Sequence, residues 1–160
     1  MNFWNGIDTI VVMENGRRAQ ALCNIPCTLE VFNTHFPRFP VLPGVLILES
    51  MSQLASTLLA ETGRTWRLQK ASQVRFRHFV QPGSQMKIEV EMKHLSDTTA
   101  LLKGVVTVAC GQGFVGSGAV GSGLAPDRVP TALQAPQDQR VMTTVRELCF
   151  VTTGSGEENR

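Results

Sequence analysis

Apolar and polar residues alternate most cleanly at Met86, Ile88, Val90 and Met92 against Lys87, Glu89, Glu91 and Lys93, which predicts a strand with one dry face. The same period of two predicts strands from Ile7 to Met13 and from Ala19 to Ile25. Val74, Phe76 and His78 alternate with Arg75, Arg77 and Phe79, and Pro82-Gly83 then predicts a turn that closes a hairpin with the Met86 strand. Leu101 to Cys110 is almost continuously apolar, as a strand covered on both faces would be, and Phe114 to Gly121 predicts a further strand after a Gly-Gln-Gly turn. Between the two strand groups the period changes. Pro43 to about Thr62 reads as a helix, with Pro43 near its first turn and Gly63 just past its end. That helix would be about 30 Å long at 1.5 Å per residue.

One long helix among five or six antiparallel strands predicts an α+β domain in which the sheet wraps the helix. A chain of 160 residues supports one buried core and leaves little for a second. The predicted domain spans residues 1–123. From Leu124 the composition shifts to proline, glutamine and charge, so 124–160 reads as a C-terminal extension. Within it Val141, Met142, Val145 and Leu148 predict a short amphipathic helix, and Gly154 to Arg160 a disordered tail.

Composition narrows the function classes. Fifteen basic against 13 acidic residues give a net charge of +2, too little for a nucleic-acid backbone. No apolar run reaches the roughly 20 residues that span a bilayer, and MNFWNGIDTI lacks a basic region followed by an apolar stretch, so a cytoplasmic protein is expected. Cys23, Cys27, Cys110 and Cys149 are too scattered for a disulfide framework, and the Cys23/Cys27 spacing has no second ligand pair for zinc. Reduced thiols and no metal site follow.

The chemistry concentrates in HFPRFPVLPGVLILESMSQ, residues 35–53. Pro37, Pro40 and Pro43 restrict φ and stiffen the loop that carries His35, so the imidazole is aimed before a substrate arrives. Gly44 falls in the first helical turn, where N–H groups lack intrahelical partners and the macrodipole is positive, a place to hold a developing oxyanion. Glu49 stands among Val45, Leu46, Ile47, Leu48 and Met51, an apolar setting expected to raise its pKa and make it a proton donor near neutrality. Gln53, one turn on, would orient that carboxyl. Each residue also has a plainer reading. A histidine before a proline is often only a loop residue, and Glu49, Gln53, Ser56 and Ala60 share a helix side with Ser50, Thr57 and Glu61, as a solvated stripe would. His78 and His94 read as strand and turn residues, and Ser50 and Ser52 lack a nucleophile elbow.

The same run closely resembles the active-site signature of the 3-hydroxyacyl-[acyl-carrier-protein] dehydratases of the hotdog fold: His-Phe-Pro, then Pro, then Pro-Gly-Val-Leu, then an acid and a glutamine. Weaker similarity extends from about Ile7 to Gly121, including VRFRHFVQPGSQMKIEVEM. The resemblance implies a hotdog fold, His35 as catalytic histidine, Glu49 as catalytic acid, Gly44 as backbone oxyanion donor and Gln53 as the residue holding the acid. It implies that histidine and acid meet across a dimer interface, in a homodimer or higher oligomer, with a heterodimer as the other arrangement. It also implies an acyl carrier protein as partner, no cofactor beyond the phosphopantetheine arm that carries the substrate, and no nucleic-acid or membrane partner. Glutamate at position 49, where related dehydratase-isomerases have aspartate, points to simple dehydration to a trans-2-enoyl product.

Two departures bear on the pathway. Thr34 and Arg38 stand where the family usually has glycine, and the chain has no tyrosine. Both point toward specialised acyl or polyketide biosynthesis. Arg64, Arg67, Lys70, Arg75 and Arg77 cluster just after the helix, and Arg75 and Arg77 are the candidate docking residues for an acidic carrier, the plainer reading being a solvated strand face. The competing functions are a hotdog thioesterase and a non-catalytic acyl-binding protomer of a heteromeric dehydratase.

Overall fold

The computed structural model describes residues 4–109 and 139–153. Six strands form a single antiparallel sheet in the order β1-β2-β4-β5-β6-β3: β1 (Thr9–Glu14), β2 (Arg18–Asn24), β3 (Trp66–Phe76), β4 (Gln85–Leu95), β5 (Thr99–Ala109) and β6 (Gln139–Thr152). Between β2 and β3 run the single-turn helix α1 (Val31–Thr34) and the long helix α2 (Gly44–Ala60). Helix α2 packs on β2, β3, β4 and β5. Among the described residues no helix is long and apolar enough to cross a membrane.

The predicted helix is present. Its buried residues, Ile47, Ser50, Met51, Leu54, Ala55, Leu58 and Leu59, recur every three or four positions and form one stripe facing the sheet. The chain leaves the helix through Gly63 at φ +72°, a conformation that glycine adopts without penalty. Ser50 is the polar member of the stripe, and its hydroxyl donates to the Leu46 carbonyl at 3.0 Å, so burial leaves it satisfied. Opposite stand Ala19, Ala21 and Cys23 of β2, Met86, Ile88 and Val90 of β4, Leu102 and Val106 of β5, and Leu148 and Phe150 of β6, all buried. Each large aliphatic or aromatic side chain buried this way contributes about 1.5–3 kcal/mol. At Gly104 helix and sheet approach closely, since a Cβ there would lie 2.8 Å from the Met51 sulfur.

Four expectations are corrected. Residues 139–152 are a strand, not a short helix, and β6 lies between β5 and β3, so the sheet domain does not end at residue 123. The misleading spacing comes from bulges: Gly104 and Leu102 of β5 oppose Val145 and Leu148, and Val106 and Thr107 oppose Thr143 and Val141, so β6 carries an extra residue at each place. Two bulges turn a period of two into the steps of three seen at Met142, Val145 and Leu148. The β3–β4 hairpin does not form either, because β3 pairs with β6 while β4 pairs with β2 and β5. Gln81-Pro82-Gly83-Ser84 does turn, with Gly83 at φ +77° and Ser84 N–H donating to the Gln81 carbonyl, but it joins β4 to a segment that leaves the sheet. Finally, β5 alternates buried and half-buried residues, so only one of its faces is dry. The expected Phe114–Gly121 strand and the 154–160 tail lie outside the described residues.

Cys23, Cys27 and Cys149 are free thiols. Burial, with a smaller contribution from Asp8, pushes the Cys23 thiol from its ordinary 9.0 up to about 12. A raised thiol pKa favours the folded state fully below 9.0, and that contribution is lost as pH climbs toward about 12. Alkylation with iodoacetamide at about pH 8, read by peptide mass mapping, is expected to modify the exposed Cys27 and spare Cys23 until the protein unfolds. Leu148→Ala, at a fully buried β6 position, is expected to lower stability in chemical denaturation by about 2–5 kcal/mol. A peripheral tail would give a change near zero.

Candidate active site

Helix α1 ends at His35, whose backbone N–H donates to the Val31 carbonyl at 2.8 Å and whose φ and ψ of −92° and 93° turn the chain into the proline loop. Two buried residues anchor that loop, Val41 and Leu42, and the Leu42 N–H donates to the Val80 carbonyl at 2.7 Å. Because Val41 is held on both counts, its carbonyl has a fixed position, 2.9 Å from His35 Nδ1. A carbonyl only accepts, so Nδ1 carries the proton in the neutral ring, and Nε2 is left with a free lone pair. This is the tautomer a base needs. Phe36 stacks edge-on to the imidazole, with centroids 4.5 Å apart, and has φ 56°. A bulky residue in the left-handed region is strained, and here the strain accompanies the turn that presents His35.

The other end of the loop enters α2 at Gly44. Pro43 precedes it as N-cap without a side-chain hydrogen bond, and no acid occupies the first turn, so the helix amino terminus keeps free N–H groups and an uncompensated positive dipole. Phe76, the last residue of β3, lies against Gly44: a Cβ there would fall 2.6 Å from the phenyl ring. Loop, helix start and the end of β3 therefore converge.

Glu49 stands elsewhere. It is exposed on the α2 face turned away from the sheet, beside Val45, which is 69% exposed. The apolar neighbours expected to bury it point mostly inward, so the described residues leave it exposed and not buried as expected. Among the described residues it forms no ion pair or hydrogen bond with His35. Gln53 does not hold it: the Gln53 side chain packs under the amino-terminal strap, where its Oε1 is 3.0 Å from the position of a Cβ on Gly6. Thr34 turns its hydroxyl back to the Val31 carbonyl at 3.3 Å, and Arg38 is exposed on the loop. Of the basic cluster, Arg64 is bound to Asp97 at 2.9 Å, whereas Arg67, Lys70, Arg75 and Arg77 are exposed.

The sequence and the fold that carry this loop and helix are matched among known proteins. The sequence profile of the ApeI-like family, described as ApeI dehydratase, matches residues 12–112. The chain belongs to the ApeI-like dehydratase family. Among curated relatives of this dehydratase, the 3-hydroxyacyl-[acyl-carrier-protein] dehydratase FabZ of Bacillus subtilis (strain 168) is 37% identical over 106 residues, 64% of this chain and 75% of the relative. That of Geobacillus thermodenitrificans (strain NG80-2) is 36% identical, over 64% of this chain and 73% of the relative. Solved structures show the same hotdog fold. The dehydratase heterocomplex ApeI:P from Xenorhabdus doucetiae superposes with a TM-score of 0.56 at 18% identity, covering 88% of this chain and 96% of that one. The smu.793 protein of Streptococcus mutans UA159, bound to acetyl CoA, gives 0.62 at 14% identity, covering 96% and 94%.

Several features of the candidate site had no local sequence signal. The Val41 carbonyl is a backbone group, and Phe76 reaches Gly44 only through the sheet. Phe36, Phe39, Phe76 and Phe79 are all large and exposed around the loop, with the Phe39 and Phe79 rings 6.1 Å apart. Long-range nitrogen–proton NMR correlations are expected to show neutral His35 protonated at Nδ1 and bare at Nε2. Signals typical of the Nε2–H form would show that the Val41 contact does not set the tautomer.

Proposed function

We propose that this dehydratase eliminates water from 3-hydroxyacyl thioesters presented by an acyl carrier protein, giving trans-2-enoyl thioesters. The observation that carries the reading is the His35 imidazole tied through Nδ1 to the Val41 carbonyl, on the loop that leads into the uncapped start of α2. His35 Nε2 takes the proton on the carbon α to the thioester. The electron pair moves onto the carbonyl oxygen, where the Gly44 N–H and the helix dipole stabilise the enolate-like charge. As the pair returns to form the α–β double bond, the β carbon–oxygen bond breaks and Glu49 protonates the departing hydroxyl, which leaves as water. Proton return from the imidazolium and uptake by the glutamate restore both groups. No resident cofactor takes part, and the phosphopantetheine arm of the carrier only holds the substrate.

For this to work, Glu49 must come from a second subunit laid across the outward face of α2. The exposed Val45, Phe36, Phe39 and Phe79 offer that subunit an apolar seat, and covering Glu49 would give it the desolvated setting a proton donor needs. The second subunit is either another copy of this chain or a related hotdog protomer, and the substrate belongs to specialised acyl or polyketide biosynthesis, the reading that Thr34, Arg38 and the absence of tyrosine support. The thioesterase reading is disfavoured by the oriented imidazole, which hydrolysis at a helix carboxylate does not need. Release of free thiol from acyl thioesters would revive it.

His35→Ala and Glu49→Gln are each expected to lower kcat by about a thousandfold while the protein stays folded. Mixed after denaturation and refolding in equal amounts, the two inactive homomeric proteins are expected to recover roughly a quarter of wild-type activity, because half the dimers pair unlike chains and each of those has one intact site. No recovery, with mixed dimers verified by mass spectrometry, would contradict a site shared between copies.

A further inference from the structure

On the sheet face opposite α2, strands β3, β5 and β6 enclose a recess of about 270 Å³ whose polar lining is Gln73, Arg75, Arg77, Lys103, Thr144 and Arg146. The register explains why these residues meet. Arg75 and Val105 both pair with Thr144, and since Leu102, Gly104 and Val106 face the helix, Lys103 and Val105 face outward. Four cations thus converge from three strands that are far apart in sequence.

Among the described residues the recess has no acid in its lining. Chain composition enforces this on β3, since no acidic residue occurs between Glu61 and Glu89. Lys103 is anchored from the side by Glu91 at 2.9 Å, and Arg146 donates to the Gln73 amide oxygen at 3.4 Å. Arg75 and Arg77 make no ion pair among the described residues. Holding three arginines together with no ion-pair partner among the described residues, beside a lysine paired only from the side, costs energy that a solvated strand face would avoid by interspersing acids. One end of the recess also adjoins the active site: Arg77 follows Phe76, whose ring covers Gly44, and the Arg77 N–H donates to the Met142 carbonyl at 2.8 Å.

We infer that this outer-face recess, and not the exposed face of α2, is the docking surface for an acidic carrier protein. The inference rests on the carrier-dependent reading of the function and adds Lys103 and Arg146 to the two arginines evident in sequence. Carboxylates on the carrier surface would pair with the four cations, and the arm would pass the Arg77–Phe76 edge toward Gly44 and His35. Placed there, the carrier leaves the apolar seat beside Glu49 to the second subunit.

The test titrates the full-length protein with a phosphopantetheinylated acyl carrier protein, comparing wild type with Arg75→Glu/Arg146→Glu and with Lys87→Glu, which changes a cation on β4 outside the recess. Carrier Kd is expected to rise at least about tenfold for the recess variant and less than about twofold for Lys87→Glu, with the wild-type affinity falling as salt rises. Kinetics separate this from the functional reading, because the ratio of kcat/KM on a carrier-borne substrate to kcat/KM on the matching pantetheine thioester should fall in the recess variant. Unchanged carrier binding overturns the docking surface even if wild type dehydrates both substrates. An altered oligomeric state with unchanged carrier binding also overturns it, and assigns the recess to a second copy. If wild type binds the carrier through the recess but dehydrates neither substrate, the functional reading fails while the docking surface stands.

Discussion

The 2.9 Å hydrogen bond from His35 Nδ1 to the Val41 carbonyl is the constraint on which the rest of the site depends. It decides which imidazole nitrogen carries a proton and which accepts one, and it does so with a backbone group that no side-chain substitution removes. The acceptor is fixed because the loop is sewn to the domain: Val41 and Leu42 are buried, Leu42 bonds Val80, and the turn after Val80 is bonded to Ile25 through Gly83 and Ser84. Three prolines remove much of the remaining freedom. Orientation of the imidazole is therefore built into the fold, and the helix start at Gly44 has no side-chain cap and no acid in its first turn.

A second constraint is topological. Wrapping a sheet round one side of α2 satisfies the inward stripe from Ile47 to Leu59 and leaves the opposite side, with Val45 and Glu49, without cover. Nothing among the described residues covers the carboxyl, while the phenyl rings about the loop stand exposed. His35 on a stiff loop and Glu49 on the outward helix face are thus kept apart among the described residues, so on the proposed reading assembly and catalysis are one problem.

The loop, the helix and its limits were legible because their signals are local: prolines, the apolar stripe, and a glycine at the helix exit. The strand β6 was not, because two bulges reset its inside–outside alternation and left Met142, Val145 and Leu148 spaced like a helix face. The supposed β3–β4 hairpin failed for a related reason, since the Pro82-Gly83 turn is real but strand order is decided by partners elsewhere in the chain. Glu49 was legible as a residue and misread as an environment: five apolar neighbours in sequence do not bury a side chain that a helix turns the other way. Lys103 and Arg146 gave no signal at all, being joined to Arg75 only by sheet register.

The central claim, that His35 removes the α proton of a 3-hydroxyacyl thioester, is tested most directly with a carrier-bound substrate carrying two deuterons on its α carbon. The account predicts an enoyl product that has lost one water and keeps one deuteron, formed more slowly than from the protiated substrate. Release of a free acid that retains both deuterons, with no enoyl product, would contradict it.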